Sequence, residues 1–414
     1  MKYLIYISVL FLAVFCNPDE SVTIPKFNDD SFMEGTLALS EATKSRMEGV
    51  YKVATGTELL GNKVILKLSK KGISIFGEKE SVYLIMESGS KDSDIRFEGY
   101  WRYAVNSETG LIRLEIPSDS GGDELLSDTS SVTEIIVEGG YGFNNDSPNT
   151  SITLEFERPF SKYAKETEFF IVAHRGGGRT ADRLPASENS LEILHYTELL
   201  GANAIEIDVR LSTDGVSFLY HDNTINLRLT QKGTVWGQIE DFSYPQLRTH
   251  LTLVNGEKIP TLSEVLEYTL NETEIEFVWL DMKAAKNDID QVAAIQKEIL
   301  DRAQMMGRKL EIAMGLPTEE KREQYLAYSD NENIPSLNES TPEDTRISNS
   351  VFWGPRWTLG LQNDEVEKMH SEGRRVITWT MDDPTFIQQY LSEGNFNGMV
   401  TNYPTLIAYY HYSR

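Results

Sequence analysis

An eight-stranded βα barrel of the TIM type, behind a small antiparallel β domain (barrel or sandwich), is the α/β fold class that the sequence predicts. Three observations predict it. The hydrophobic period changes after Phe160, from short alternating runs to apolar strands that alternate with amphipathic helices. The second pattern runs for about 250 residues, the usual length of an eight-stranded barrel. The whole chain, at 414 residues, exceeds one ordinary core, so two domains are expected.

Composition narrows the function. Hydrophobic content of 40% and charged content of 25% are those of a globular protein. The net charge of −25, with no Lys/Arg-rich cluster, excludes a nucleic-acid partner. An anionic substrate then needs a locally positive site, which a bound metal with Arg or Lys supplies.

Residues 1–16 read as a signal peptide. One Lys precedes an apolar run that is too short to span a bilayer, and the sole cysteine, Cys16, directly follows it. This is similar to a bacterial lipoprotein signal, in which that Cys is lipidated. Phe15 and Ala13 stand where such signals usually have a small residue and Leu. A plain secretory signal with an unrelated cysteine is the other reading. The lipoprotein reading implies an exported protein, lipid-anchored to a bacterial membrane on its periplasmic or surface face.

Residues 17–45 are polar and read as a tether. Residues 46–160 carry eight short runs, from Gly49–Val53 to Ile152–Phe156, including Thr133–Glu138. Turn-formers bound them, which indicates an antiparallel sandwich or small barrel with no catalytic cluster. Its opening, Glu48-Gly49-Val50-Tyr51, faintly resembles lipocalin-like barrels. From 166 to 414 the barrel pattern holds. A helix is expected over Asn189–Leu200, ending at Gly201 and feeding strand Ala202–Val209. Thr261-Leu-Ser-Glu264 has the capping-box pattern, and the helix from Ile289 stops at Gly307. Seven strands can be counted; the remaining one must lie in Asp330–Ser350 or be degenerate.

The chemistry gathers between Ile171 and Lys283. Side chains alternate along a strand, so Glu206 and Asp208 point to one side, as do Asp281 and Lys283 two strands on. Three carboxylates at the C-terminal mouth of a barrel make a hard, all-oxygen site suited to a divalent cation, Mg²⁺ or Ca²⁺. From Asp208 to His221 the chain passes only Ser212-Thr213-Asp214-Gly215 as turn residues. That is too short for a parallel crossover, so a hairpin is predicted that returns His221 level with Asp208. His174 ends the first strand and is followed by Arg175 and three glycines, where backbone can approach a ligand and Arg can grip a phosphate. Two imidazoles about a phosphorus centre are the parts needed to take one proton and give another. The histidines at 195, 250, 370 and 411 read as structural or solvated.

Residues from about 168 to 410 resemble the glycerophosphodiester phosphodiesterase family. The matching pieces are His174-Arg-Gly176, Glu188-Asn-Ser190, Glu206-Ile-Asp208, Thr213-Asp-Gly215, His221-Asp222, Arg228-Leu-Thr230, Leu280-Asp-Met-Lys283, Trp379-Thr380 and Gly398–Pro404, in the family's order and spacing. The resemblance implies metal ligands at Glu206, Asp208 and Asp281 and acid/base histidines at His174 and His221. It implies substrate contacts from Arg175 and Lys283, with Glu188 as a further site carboxylate and Trp379 walling the alcohol pocket. The expected activity is metal-dependent hydrolysis of glycerophosphodiesters to an alcohol and sn-glycerol 3-phosphate.

Two departures stand out. The family usually has Glu where Asp281 stands, and Asp where Asn402 follows Thr401. Sphingomyelinase D-like phospholipases share the barrel and carry Asp at the third ligand, so phospholipase D-like action on lysophospholipids or sphingolipids is a second expectation. An apolar rim near Trp353, Trp357 and Trp379 favours it. A third is an inactive barrel serving as a surface binding module.

Overall fold

A computed structural model describes residues 24–29, 31–106, 108–127, 132, 134–179 and 184–414. The leader and Cys16 lie outside the described residues, as does Thr133.

The first eight strands close in chain order. They are β1 (Gly49–Thr55), β2 (Lys63–Ser69), β3 (Gly72–Gly77), β4 (Val82–Lys91), β5 (Asp94–Tyr103), β6 (Thr109–Ile116), β7 (Ile136–Tyr141) and β8 (Thr150–Arg158). Every neighbour is antiparallel and β8 pairs back onto β1, so no edge is left open. The interior is packed with Tyr51, Leu66, Phe97, Trp101 and Leu154. It is a filled core, unlike the ligand-holding interior of a lipocalin.

Residues 24–45 are not a free tether. Ser40 caps a helix, Glu41–Met47, whose Met47 is buried together with Leu39. Phe27 and Phe32 both stack on the Arg113 guanidinium, and Leu37 bridges to Ser90. Sparse apolar anchors in a polar segment carry no periodic signal, yet they suffice to fix it to the barrel wall.

The second barrel has eight parallel strands. These are β9 (Phe170–Ala173), β10 (Ala204–Leu211), β12 (Phe277–Met282), β13 (Glu311–Leu316), β14 (Ser336–Asn338), β15 (Phe352–Trp353), β16 (Arg375–Thr378) and β17 (Gly398–Thr401). Pairing of β17 with β9 and of β9 with β10 closes it. The intervening β11 (Ser217–Leu219) runs antiparallel to β10, as the short Ser-Thr-Asp-Gly connection requires. Alternation is visible throughout. Phe170, Ala204, Phe277, Trp279 and Leu337 fill the barrel, while Ile171, Ile205, Val278 and Ile312 face the helices.

Two of these strands, not one, escaped the apolar-run signal, because the return leg β11 is antiparallel and does not count among the eight. β14 lies inside the polar Asp330–Ser350 segment, and β15 is only two residues long just beyond it. Their brevity removes the alternation that sequence reading needs. The helix expected over Asn189–Leu200 is regular only at Ile193–Thr197. Asn189 takes φ +57° because its side chain is drawn to Asp208. The helices at Leu262–Glu272 and Ile289–Met306 form with the capping box and the Gly307 stop that their sequences encode.

The two barrels share one core. Val50, Ile65, Phe76, Tyr83 and Tyr100 point out of the first barrel and pack with Leu200, Leu406 and Tyr410 of the second. Ser74 Oγ donates to the Leu199 carbonyl, 2.7 Å away. The last helix, Pro404–Tyr412, is buried along nearly its whole length, which explains its lack of a polar face.

His411 on that helix is stacked on Phe169, ring centroids 4.8 Å apart. Arg414 donates to its Nδ1, so Nε2 carries the proton and donates to the Ala164 carbonyl. Burial, reinforced by Arg414, pushes its pKa down from 6.5 to about 4. The neutral ring therefore stabilises the fold fully above pH 6.5, and that stability is lost as pH falls towards 4, up to about 3 kcal/mol. Urea denaturation across this range is expected to show a much shallower loss for His411→Gln than for the unsubstituted chain.

Candidate active site

The site is built on β10. Ile205, Ile207 and Val209 face the surrounding helices, so Glu206 and Asp208 face the barrel mouth. Parallel register places Asp208 beside Asp281 on β12. Carboxylate oxygens of Glu206, Asp208 and Asp281 lie within 4.8 Å of one another. Glu206 Oε1, Asp208 Oδ1 and Asp281 Oδ1 are all buried without a hydrogen-bond partner. Three orphaned oxygens aimed at one point fit a hard divalent cation.

Their other oxygens are held firmly. Glu206 Oε2 accepts from the Arg175 backbone N–H at 2.8 Å. Asn189 Nδ2 donates to Asp208 Oδ2 at 2.6 Å, and the Asp208 N–H donates to Asn189 Oδ1 at 3.0 Å. Lys283 Nζ sits 2.5 Å from Asp281 and 3.6 Å from Asp208. Burial, then the charges of Asp208 and Asp281, push Glu206 well above the carboxylate range. Burial also raises Asp281, against the pull of Lys283. Asp208 is buried too, but His221, Lys283 and Arg175 outweigh that and hold it low.

The hairpin delivers His221. Val209 pairs with Leu219, and the Tyr220 N–H donates to the Asp208 carbonyl. Arg210 fixes the return leg by donating to the Tyr220 and His221 carbonyls at 2.9 and 2.6 Å. Asp222 Oδ1 lies 2.7 Å from His221 Nδ1. Arg228 grips Asp222 through Nε and Nη2 and reaches Glu188 through Nη1. Glu188 in turn takes Arg175 Nη1 at 2.7 Å.

His174 is tied differently. Its Nδ1 lies 2.7 Å from Asn402 Oδ1. Asp382 accepts from Thr401 Oγ1, the Asn402 N–H and Asn402 Nδ2. With its NH₂ group committed to Asp382, Asn402 can only present oxygen to His174. His174 Nδ1 is therefore the donor, and its Nε2 lone pair faces the site, 3.7 Å from Glu206 Oε2. Burial and the Arg175 charge push His174 down to about 4, so it is neutral near pH 7.

These groups line a cavity of about 610 Å³ whose walls include Trp279, Lys283, Glu339, Arg356 and Trp379. Glu188 is not on its surface; it orients Arg175 and Arg228 from behind instead of touching a substrate. The tryptophan rim is not formed. Trp353 is buried on the helix side of the barrel and Trp357 packs on Phe386, leaving Trp379 of the three at the cavity. Sequence reading missed Asn402–Asp382, Arg210 and Glu339. Asn402 was visible only as a departure, and Glu339 follows a three-residue strand in a polar segment. Burial, then the Asp281 charge, push Glu339 well above the carboxylate range.

Residues 174–406 match the model of the glycerophosphoryl diester phosphodiesterase family. The chain belongs to that family. Human glycerophosphodiester phosphodiesterase 1 is 34% identical over 108 residues, 24% of this chain and 30% of that protein. The glycerophosphodiester phosphodiesterase of Caldanaerobacter subterraneus is 31% identical over 103 residues, 23% of this chain and 39% of its own. The aligned stretch thus spans well under half of these relatives. Among solved structures, an Oleispira antarctica phosphodiesterase in complex with sn-glycerol-3-phosphate has a TM-score of 0.46 at 21% identity, covering 57% of this chain and 94% of that one. A glycerophosphodiester phosphodiesterase from Agrobacterium tumefaciens has a TM-score of 0.46 at 18% identity, covering 58% and 99%. The family match coincides with the second barrel and leaves the first outside it.

Calorimetry and thermal melting test the cradle. Saturating Mg²⁺ or Ca²⁺ is expected to raise the melting temperature by about 2–4 °C. Glu206→Gln should abolish that rise while melting no lower than the metal-free parent, because it removes one of three crowded carboxylates.

Proposed function

We propose that the chain hydrolyses glycerophosphodiesters to an alcohol and sn-glycerol 3-phosphate, with a divalent cation, Mg²⁺ or Ca²⁺, held by Glu206, Asp208 and Asp281. The observation that carries this reading is a cation cradle and two differently tied imidazoles facing one cavity. Family membership supports the substrate class. A bound cation supplies charge neutralisation to the phosphate there. Lys283 and Arg175 add positive charge beside the same phosphate and orient it.

The ties behind the two histidines divide their roles. His174 is neutral with its lone pair at Nε2, which suits a general base that takes a proton from the attacking water. His221 has a carboxylate, Asp222, at Nδ1, which fixes the ring with Nε2 free to hand a proton to the leaving oxygen and suits a general acid. A water oxygen bonds to phosphorus as its proton passes to His174. The ester P–O bond breaks as His221 protonates the departing alkoxide. Asp382 acts through Asn402 by fixing the His174 tautomer; Arg228 acts through Asp222.

Purified chain lacking residues 1–16 should release sn-glycerol 3-phosphate from glycerophosphocholine in a reaction that EDTA stops. Lysophosphatidylcholine and sphingomyelin, assayed in parallel, test the phospholipase D-like alternative. His221→Ala should lose about 10²–10⁴-fold on these alkyl esters but little on a p-nitrophenyl diester, whose leaving group needs no proton. His174→Ala should lose activity on both. Turnover indifferent to EDTA and to both substitutions would sink the site assignment.

Export and anchoring rest on residues 1–16 alone, and we read Cys16 as the lipidated residue. Detergent partitioning of the full-length chain should shift from the membrane to the aqueous phase on Cys16→Ala.

A further inference from the structure

Two polar atoms in the cavity belong to neither the cation cradle nor the histidine ties. Glu339 follows β14 at the barrel mouth, and Trp279 sits on β12, one strand removed from β14 and lining the same cavity. Trp279 is only 2% exposed. The indole N–H faces the Glu339 carboxyl closely enough to favour its charged form. Even so, Trp279 Nε1 and Glu339 Oε1 are both buried without a hydrogen-bond partner.

This corner is built around the indole. A Cβ added at Gly315 would meet Trp279 Nε1 at 2.9 Å, and one at Gly354 would meet its Cη2 at 2.9 Å. Glycine in β13 and just after β15 is what lets the ring lie there. The nearest cations are engaged elsewhere. Lys283 pairs with Asp281, and the Arg356 guanidinium stacks on Trp379 at 4.4 Å. A buried carboxyl and a buried N–H are normally paired, and leaving both open is costly unless a ligand completes them. Glu339 lies outside the cluster formed by Glu206, Asp208 and Asp281.

We propose that Glu339 and Trp279 form a hydroxyl-recognition subsite, selecting phosphodiesters whose alcohol is a polyol such as glycerol or inositol over those ending in an ammonium group. The inference rests on the phosphodiester reading above. One hydroxyl donates to the Glu339 carboxyl while a hydroxyl oxygen accepts from the indole N–H. A quaternary ammonium has no hydrogen to donate and leaves both groups open. A primary ammonium serves Glu339 alone. Either cation also sits beside Arg356 at the rim. The carboxyl keeps an acceptor oxygen in both of its charge states, so the role does not depend on its ionisation.

Calorimetry on cation-loaded protein tests this without turnover. The probes are sn-glycerol 3-phosphate and myo-inositol 1-phosphate, with methyl phosphate calibrating the phosphate contacts of each variant. The parent chain should prefer a polyol phosphate over methyl phosphate by about thirty-fold. Glu339→Leu should shrink that ratio to near unity, and Glu339→Gln, whose amide oxygen still accepts, should keep most of it. If Glu339→Leu binds no phosphate at all, Trp279→Phe replaces it, and the ratio should fall several-fold. A ratio near unity in the parent, or one that survives Glu339→Leu, overturns the subsite. Should no diester be hydrolysed while the ratio behaves as expected, the reaction reading falls and the subsite stands.

Discussion

The mutual repulsion of three buried carboxylates is the constraint on which the site depends. Glu206, Asp208 and Asp281 cannot all be charged side by side without compensation. Around them the chain arranges Lys283, the Arg175 backbone N–H and the Asn189 amide. Behind these, charges alternate from Arg175 to Glu188, Arg228, Asp222 and His221. The sequence links both histidine-bearing segments through ion pairs. It also gives a chain of net charge −25 a mouth able to hold an anionic phosphate.

The same site shows how a neighbour decides what a histidine can do. Both imidazoles are tied at Nδ1, one to an amide and one to a carboxylate. An amide oxygen fixes a neutral tautomer; a carboxylate also stabilises the protonated ring. Asp382 stands one residue further from His174 than Asp222 does from His221. Placing the carboxylate behind Asn402 keeps the orientation and lowers the electrostatic pull.

Among the described residues, the first barrel contributes no group to the cavity. Its interior is filled, and several of its strands are apolar on both faces because one face packs on the second barrel. It buttresses the second barrel through Phe76, Ser74 and their contacts near Leu199 and Gly201. This explains why β3 is buried on both faces from Ile73 to Gly77, with the Ser74 hydroxyl satisfied by the Leu199 carbonyl.

The sequence by itself determined the barrel, the strand that carries Glu206 and Asp208, and the hairpin that returns His221. Each is encoded locally: a two-residue period, a turn too short to cross over, a helix cap or stop. Only the tertiary structure decided the rest. β14 and β15 are defined by pairing with neighbours, not by their own two or three residues. The Asn402–Asp382 tie, the Arg228–Glu188 pair and the open Glu339–Trp279 corner join residues 20 to 228 positions apart or leave a partner missing. Such relations arise when closure of the barrel brings strand ends together, and no local pattern records them.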